Sequence, residues 1–221
     1  ATLKYSSAGV PLWTNRYNGP RNGNDYPTAM VVDGNDDVIV TGYSPPSLGK
    51  RIDEADYLTI KYSSTGVPLW TNRYARPDKG DDEPDAIAAD VDGNVYVTGT
   101  TGNYPNGDYA TIKYYPNGDS AWVRTYDGPA NAWDEASAIA VDSSGNVTVT
   151  GFSDGSGTYR DFATIKYYPN GDTAWVRTYN GPANGDDQAS AIAVDLSGNV
   201  YVTGSSQGSG TGGDYATIKY Y

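Results

Sequence analysis

The sequence predicts an all-β fold built from repeated antiparallel units, and its composition, periodicity and repetition each support this. The chain has 221 residues, with 27 Gly, 13 Pro and 21 Tyr but only 2 Phe and 1 Met. Tyrosine suits a half-buried strand, and glycine and proline mark tight turns. No stretch shows the 3.6-residue apolar period of an amphipathic helix. A segment close to "ATIKY" recurs at intervals of 57, 52, 53 and 53 residues, which is typical of a propeller or a solenoid.

Each period contains four strand-like runs separated by turn residues. Examples are "ATIKYY" at 110–115, "AWVRTY" at 121–126, "SAIAVD" at 190–195 and "NVYVTG" at 199–204. Four consecutive antiparallel strands form one blade of a β-propeller, so each period predicts one blade. The small apolar run fits the innermost strand, where blades crowd together, and the Trp-containing run fits the outermost. From inside to outside we call these runs strands a (SAIAVD), b (NVYVTG), c (ATIKYY) and d (AWVRTY).

These repeats resemble a known family. The stretch "AWVRTYNGPANGDDQASAIAVDLSGNVYVTG" at 174–204, together with "DYATIKY" at 214–220, is similar to the SBBP repeats of bacterial secreted and cell-surface proteins. The resemblance covers the whole chain in four registers. It implies a β-propeller and an extracellular setting, and it implies no activity. The family is described as seven-bladed, whereas this chain has four periods.

The predicted architecture is a single β-propeller domain over residues 1–221, with four blades of four antiparallel strands and one surplus strand. The repeats run over 1–57, 58–109, 110–162 and 163–215, and a terminal strand follows at 216–221.

The surplus strand is a copy of strand c, which occurs five times, whereas strands a, b and d occur four times each. If the ring closes with four blades, the last blade takes its strand d from residues 12–17, and two copies of strand c then compete for one position. An unpaired strand edge is a template for pairing with another chain. We therefore expect a homo-oligomer or homopolymer formed by strand donation. The candidate assembly residues are Ala1, Leu3 and Tyr5, or Ala216, Ile218 and Tyr220.

Two other interpretations of the surplus strand stay open. The chain is a piece of a longer propeller, or the extra strand packs outside its own blade. A strand passed from each subunit to the next would form a ring or an open filament.

Charge and residue usage restrict the function. The net charge of −12 argues against nucleic acid as a partner, because phosphate binding needs a basic face. No apolar run is long enough for membrane insertion as a helix. The absence of Cys and His excludes Ser-His and Cys-His triads and most zinc sites. The chain opens at Ala1 directly in a repeat, which is compatible with a processed chain that is extracellular or on the cell surface.

Aspartate recurs at three positions in every repeat, either as part of the blade framework or as a set of Ca²⁺ ligands. A residue present in every blade favours the framework, and no cofactor is expected. The positions are Asp25, Asp82, Asp134 and Asp187 before strand a; Asp33, Asp90, Asp142 and Asp195 at its end; and Asp56, Asp108, Asp161 and Asp214 before strand c. The best calcium candidates are in the densest acidic stretches: Asp36, Asp37, Asp81, Asp82 and Asp85.

Features that break the repeat symmetry are the candidates for individual functions. Trp133 replaces an acidic or polar residue of the other repeats. An exposed loop Trp can stack on a sugar, so a glycan-binding propeller is the alternative function.

A glycosidase would need two individual carboxylates, and the candidates are Asp134 and Glu135, or the acidic stretch 53–56. We expect no enzyme. The insertion at 44–56 carries Lys50 and Arg51, which predict either a contact with an acidic neighbour or an ordinary solvated loop.

Overall fold

The computed structural model describes residues 1–45, 55–77 and 80–221, and every regular element in these ranges is a β-strand. The prediction of an all-β fold is therefore confirmed. The described residues contain no helix that could cross a membrane. The seventeen strands are β1 (Thr2–Tyr5), β2 (Pro11–Asn15), β3 (Tyr26–Val32), β4 (Val38–Ser44), β5 (Asp56–Tyr62), β6 (Pro68–Tyr74), β7 (Asp82–Ala89), β8 (Val95–Thr101), β9 (Asp108–Tyr114), β10 (Ser120–Tyr126), β11 (Asp134–Val141), β12 (Val147–Asp154), β13 (Arg160–Tyr167), β14 (Thr173–Tyr179), β15 (Gln188–Val194), β16 (Val200–Gln207) and β17 (Gly213–Tyr220).

The strands form five antiparallel sheets in chain order. Sheet I is β1–β2, sheet II is β3–β4–β5–β6, sheet III is β7–β8–β9–β10, sheet IV is β11–β12–β13–β14 and sheet V is β15–β16–β17. Within each four-stranded sheet the order is a, b, c, d, as the turn residues predict. This arrangement is consistent with a propeller.

A glycine in strand b lets strands a and b approach each other closely. The pairing of β11 with β12 shifts register between Ala136 and Ala138. Opposite this bulge, a Cβ atom on Gly151 would lie 1.9 Å from the carbonyl oxygen of Glu135. Only glycine fits there without displacing the backbone. Gly42, Gly99 and Gly204 occupy the same position in the other sheets and have carbonyl oxygens at 2.0–2.1 Å from the equivalent point.

The core lies between successive sheets. The first strands β3, β7, β11 and β15 contact one another in that order, which makes them the innermost strands. Between sheets III and IV, for example, Tyr109 packs with Val149 and Ile165. Each Trp of strand d also reaches the next sheet, as when Trp122 Nε1 donates a hydrogen bond to the Pro169 carbonyl at 3.1 Å. The repeated aromatic residues therefore join neighbouring sheets.

The series of sheets does not close into a ring in the structure. Among the described strands, none of sheet V makes an extended contact with sheet I or sheet II. Of the two copies of strand c that could stand beside β2, the structure places β1 there, and β17 pairs with β16 only. Sheet V therefore has three strands. Tyr26, Met30 and Val32 on β3 are consequently exposed at the other end of the series.

Both copies of strand c at the chain ends are paired on one side. β1 pairs with β2 in the register Lys4 to Trp13, and both side chains donate to the Ser64 carbonyl of sheet II, at 2.9 and 3.1 Å. β17 pairs with β16 alone, with Ile218 opposite Val202. Neither strand lacks a partner altogether, so what remains open is one edge of β1, one edge of β17 and the sheet faces at the two ends.

Candidate functional site

The aspartates that end strand a belong to the turn that follows it. Oδ1 of Asp142 accepts the backbone N–H groups of Ser144 and Asn146 at 3.0 and 2.9 Å. Its Oδ2 lies 3.1 Å from Lys166 Nζ. Burial alone would raise the pKa of Asp142, but the hydrogen bonds from Asn146 and Lys166 outweigh it and lower that pKa. The same pattern at Asp33, Asp90 and Asp195 makes this aspartate part of the repeat's framework.

The aspartates before strand a fix the preceding loop. Asp134 is fully buried, and its Oδ2 accepts the N–H of Gly128 at 2.5 Å. Burial raises the pKa of Asp134 to about 6, and the charges of Asp127 and Asp108 add to this, against hydrogen bonds from Ser153 and Gly128. Asp25, Asp82 and Asp187 accept the N–H six residues earlier in the same way.

The calcium candidates lie in separate places. Asp36 and Asp37 are in the β3–β4 turn, where Lys61 Nζ lies 3.4 Å from Asp37 Oδ2 and 2.7 Å from Asp33 Oδ2. The lysine already supplies a positive charge to that turn. Asp82 is buried and accepts the Thr101 hydroxyl.

A closer group of three carboxylates was not predicted. Asp108, Asp127 and Asp134 each offer an oxygen within 4.8 Å of the others. Asp127 stands where the other repeats have Asn18, Ala75 and Asn180, and that difference was the available signal. Arg76 Nη1 lies 2.7 Å from Asp108 Oδ2, so a guanidinium already supplies positive charge to this group.

The structure brings Trp133, Asp81 and Asp85 together in one cavity. The cavity has a volume of about 280 Å³ and lies between sheets III and IV, where β7 and β11 begin. The lining residues are Asp81, Glu83, Asp85, Thr100, Gly102, Asn103, Tyr104, Trp133 and Glu135. These residues come from β7, the end of β8, the β8–β9 loop and the start of β11. Because four of them are acidic and two are aromatic, we call this space the acidic–aromatic cavity.

Two rings and several carboxylates face each other in the acidic–aromatic cavity. The Trp133 and Tyr104 ring centroids are 6.1 Å apart, with the planes tilted by 44°. Trp133 Nε1 donates to Glu135 Oε2 at 3.2 Å, which orients the indole. Burial, followed by the charges of Glu135 and Glu83, raises the pKa of Asp85 to about 7. Burial also raises the pKa of Glu83, with Asp81 and Glu135 contributing. The cavity therefore favours a neutral carboxyl or a bound positive charge.

Sequence reasoning singled out Trp133, Asp81, Asp85 and Glu135 in separate hypotheses, and it missed Glu83, Tyr104 and the grouping itself. Glu83 and Glu135 are acidic where the matching residues are Tyr26 and Gln188, which was a readable signal. The proposed glycosidase pair does not face one substrate. Asp134 and Glu135 are adjacent in β11, so their side chains point to opposite faces of the strand. Of the other calls, Lys50, Arg51 and residues 53–54 lie outside the described residues.

A second candidate site is formed by the two end faces of the sheet series. Tyr57, Tyr109 and Phe162 occupy one repeat position just before strand c and are 0% exposed, because the next sheet covers them. Tyr215 occupies the same position in sheet V and is 97% exposed. In the covered case, the Tyr109 hydroxyl donates to the Ala163 carbonyl of the next sheet at 3.2 Å.

The other end face offers the matching surface. A cavity of about 60 Å³ on sheet II is lined by residues that include Tyr17, Tyr26, Val40, Leu58 and Ile60. Leu58 holds the repeat position of Ala163, the residue whose carbonyl accepts the Tyr109 hydroxyl. Ala1 and Thr2 also line this cavity and Leu58 is only 7% exposed, so a second copy could reach Leu58 only after β1 has moved away.

The assembly residues chosen from the sequence do not all lie on open faces. Ala216, Ile218 and Tyr220 are half-buried and pack toward sheet IV. The opposite face of β17 carries Tyr215, Thr217 and Lys219, which are exposed because side chains alternate along a strand. At the other terminus, Ala1, Leu3 and Tyr5 are exposed. The exposed residues on the two end faces include Leu3, Tyr5, Tyr26, Met30, Val32, Tyr215, Thr217 and Lys219.

The match to one family model agrees with the fold. The sequence model of the family described as "Beta-propeller repeat" (SBBP) matches residues 69–105 and 175–210. No curated protein gives a significant match. A solved structure described as a "putative gluconolactonase" aligns with 13% identity and a TM-score of 0.44, over 87% of this chain and 58% of that one. This chain thus spans less than two thirds of that structure. The resemblance to SBBP repeats that the sequence suggested is thereby confirmed over residues 69–105 and 175–210.

Proposed function

We propose that this chain is an extracellular structural module, without enzymatic activity, that assembles with other copies by strand donation and supports adhesion. The observation that carries the proposal is the exposure of Tyr215, at a position that is completely covered in three other sheets. An exposed aromatic residue in a sheet face that is otherwise always covered is typical of an interaction surface.

In the proposed contact, β2 of one copy lies beside β17 of another and completes sheet V. The model for this pairing is sheet IV, where Lys166 lies opposite Trp175. In the same register Lys219 would lie opposite Trp13 of the second copy. β2 must leave β1 to do this, and one antiparallel ladder replaces another of the same sequence type. The hydrogen bonds lost and gained are therefore nearly equal, and β1 becomes the surplus strand.

Because the ladders balance, apolar burial between the sheets provides the driving force. Tyr215 of one copy would take the place beside Leu58 of the second that Tyr109 takes beside Ala163. β15 would cover Met30 and Val32, which are both more than half exposed. The two faces differ, so the contact is heterologous and continues from copy to copy as a closed ring or a filament.

Mixed disulfide trapping tests this arrangement, and the natural chain has no cysteine to interfere. One protein carries Thr217→Cys and another carries Asn15→Cys, which correspond to Thr164 and Arg177, directly opposite each other in sheet IV. Directly opposite residues have Cα atoms about 4.5–5.5 Å apart, within the range of a disulfide. A mixture of the two proteins should give a disulfide heterodimer by intact mass under mild oxidation.

The matched control replaces Asn15→Cys with Ser156→Cys, an exposed loop position remote from β2. Light scattering of the unmodified chain should show species larger than 23.5 kDa at high concentration. A monomer at all concentrations, or equal trapping of the control pair, would overturn the assembly proposal.

A further inference from the structure

We propose that the acidic–aromatic cavity binds a small organic cation, namely an ammonium or guanidinium group carried on a short carbon chain. This inference is independent of assembly, because the cavity lies between sheets III and IV of a single chain.

Charge is the first argument. Asp81, Glu83, Asp85 and Glu135 line the cavity, and none of its described lining residues is Lys or Arg. This is unlike the framework aspartates Asp33 and Asp142, which form ion pairs with Lys61 and Lys166. Carboxylates that crowd together without a cation repel one another, and a bound positive charge relieves that repulsion.

The acidic residues of the cavity also depart from the repeat. The position of Asp85 holds Thr28 and Ser137 in the neighbouring sheets. There the hydroxyl donates a hydrogen bond to the next sheet, as from Ser137 to the Ala189 carbonyl at 2.8 Å. An ionised Asp85 cannot donate such a bond. In its ionised form the residue is thus unsuited to the framework role that its position has elsewhere.

The aromatic walls specify what kind of cation fits. The faces of Trp133 and Tyr104 attract a cation through the ring quadrupole. Tyr104 is 84% exposed and reaches the cavity from the β8–β9 loop. The hydrogen bond from Trp133 to Glu135 places a carboxylate beside the indole, so ring and charge can act on one group.

A buried hydroxyl adds a polar contact. Thr100 lines the cavity and is 6% exposed, and its Oγ1 has no hydrogen-bond partner within the described protein. A buried hydroxyl without a partner is unfavourable, and an ammonium or guanidinium N–H could donate to it. This is an independent sign that a polar ligand completes the site.

Size separates an organic cation from a bare metal ion. Among the described residues, the three carboxylates close enough to share a metal are Asp108, Asp127 and Asp134, and none of them lines this cavity. The volume of about 280 Å³ is much larger than a metal ion requires. An alkylammonium or guanidinium group with a few methylenes fills such a space and meets both rings.

Isothermal titration calorimetry of the full chain with agmatine and cadaverine tests the proposal. We expect dissociation constants below 1 mM at low salt, weakening with added NaCl. 1-Pentanol serves as the neutral analogue of the carbon chain and methyl glucoside as a neutral sugar; neither should bind comparably. Titrations at pH 6 and pH 8 should show tighter binding at pH 8, because Asp85, surrounded by Glu83, Glu135 and Asp81, is ionised there.

Variants assign the binding to the cavity. Glu83→Gln and Trp133→Ala should each weaken agmatine binding by about tenfold. Asp186→Asn is the matched control, because it removes one charge from an exposed residue at the repeat position of Trp133 in sheet V, and binding should not change. Circular dichroism verifies that each variant is folded. The proposal fails if neither agmatine nor cadaverine binds, or if a neutral probe binds as tightly as they do. It also fails if Asp186→Asn weakens agmatine binding as much as Glu83→Gln.

Discussion

Replacing Tyr215 with alanine should weaken self-association strongly without destabilising the subunit. The side chain is 97% exposed in one chain, so its loss removes almost no contact within the fold. In the assembled state it would be covered as Tyr109 is, and an aromatic side chain buries about 150 Å² or more. At about 25 cal/mol per Å², covering that area contributes about 4 kcal/mol.

Alanine retains part of this area, and the measured effect of removing a central aromatic residue from an interface is typically about 2–4 kcal/mol. The dissociation constant should therefore rise by about 30- to 1,000-fold. Tyr215→Phe is a graded test, because Phe162 already occupies the same repeat position with 0% exposure. It removes only the hydroxyl, and one hydrogen bond contributes about 1 kcal/mol, so we expect about a fivefold effect.

Analytical ultracentrifugation over a concentration series measures these constants, and thermal unfolding checks the subunit. Tyr159→Ala is the control, because Tyr159 is an exposed loop tyrosine away from both end faces, and it should leave association and melting temperature unchanged. If Tyr215→Ala and Tyr159→Ala associate equally, the covered-face reasoning is refuted, whatever the oligomeric state.

Three further changes test the fold itself. Burial raises the pKa of Asp134 to about 6, so between pH 4 and pH 6 the folded protein keeps a proton that the unfolded chain has released. The free energy of unfolding should therefore fall by up to about 3 kcal/mol as the pH rises through this range. In urea unfolding, Asp134→Asn should remove that part of the pH dependence, and parallel curves for the two proteins would contradict the assignment. Gly151→Ala places a methyl group against the Glu135 carbonyl and should lower the free energy of unfolding by about 3 kcal/mol. Gly34→Ala is the control, because nothing lies within 4 Å of its added Cβ, and it should change that free energy by less than about 0.5 kcal/mol. Equal melting temperatures for the two variants would refute the close approach. Trp122→Ala should cost about 3–5 kcal/mol, since the ring is nearly buried between sheets and donates to a carbonyl, and a loss below 1 kcal/mol would show that it does not join them.

Local structure followed closely from the sequence. Strand a, b, c and d appear in the predicted order because alternation and turn glycines act over a few residues. The Asp142 turn could be anticipated for the same reason, since its donors are two and four residues away. The prediction that the repeated aspartates stabilise turns within each repeat depends on such local contacts. Comparison of repeats was also enough to mark Trp133 as unusual.

The grouping of the cavity was not predictable in this way. Glu83 and Glu135 lie 52 residues apart and meet only because two sheets stack with a particular offset. Tyr104 reaches the cavity from a loop whose sequence carries no repeat signal. From the sequence, Asp81 and Asp85 were predicted as calcium ligands and Trp133 as a sugar-stacking residue. These hypotheses stayed separate because neither segment's sequence indicates which residues of another sheet lie next to it.

By itself the sequence determined the all-β class, the repeat and the strand order within each sheet, because these depend on side-chain alternation and on turns within about 50 residues. Only the tertiary structure decided that β2 pairs with β1, that sheet V ends at three strands, and that Tyr215 is left uncovered. Five nearly identical copies of strand c compete on almost equal terms for the same neighbours. The choice among them therefore rests on how whole sheets pack, which no single copy specifies.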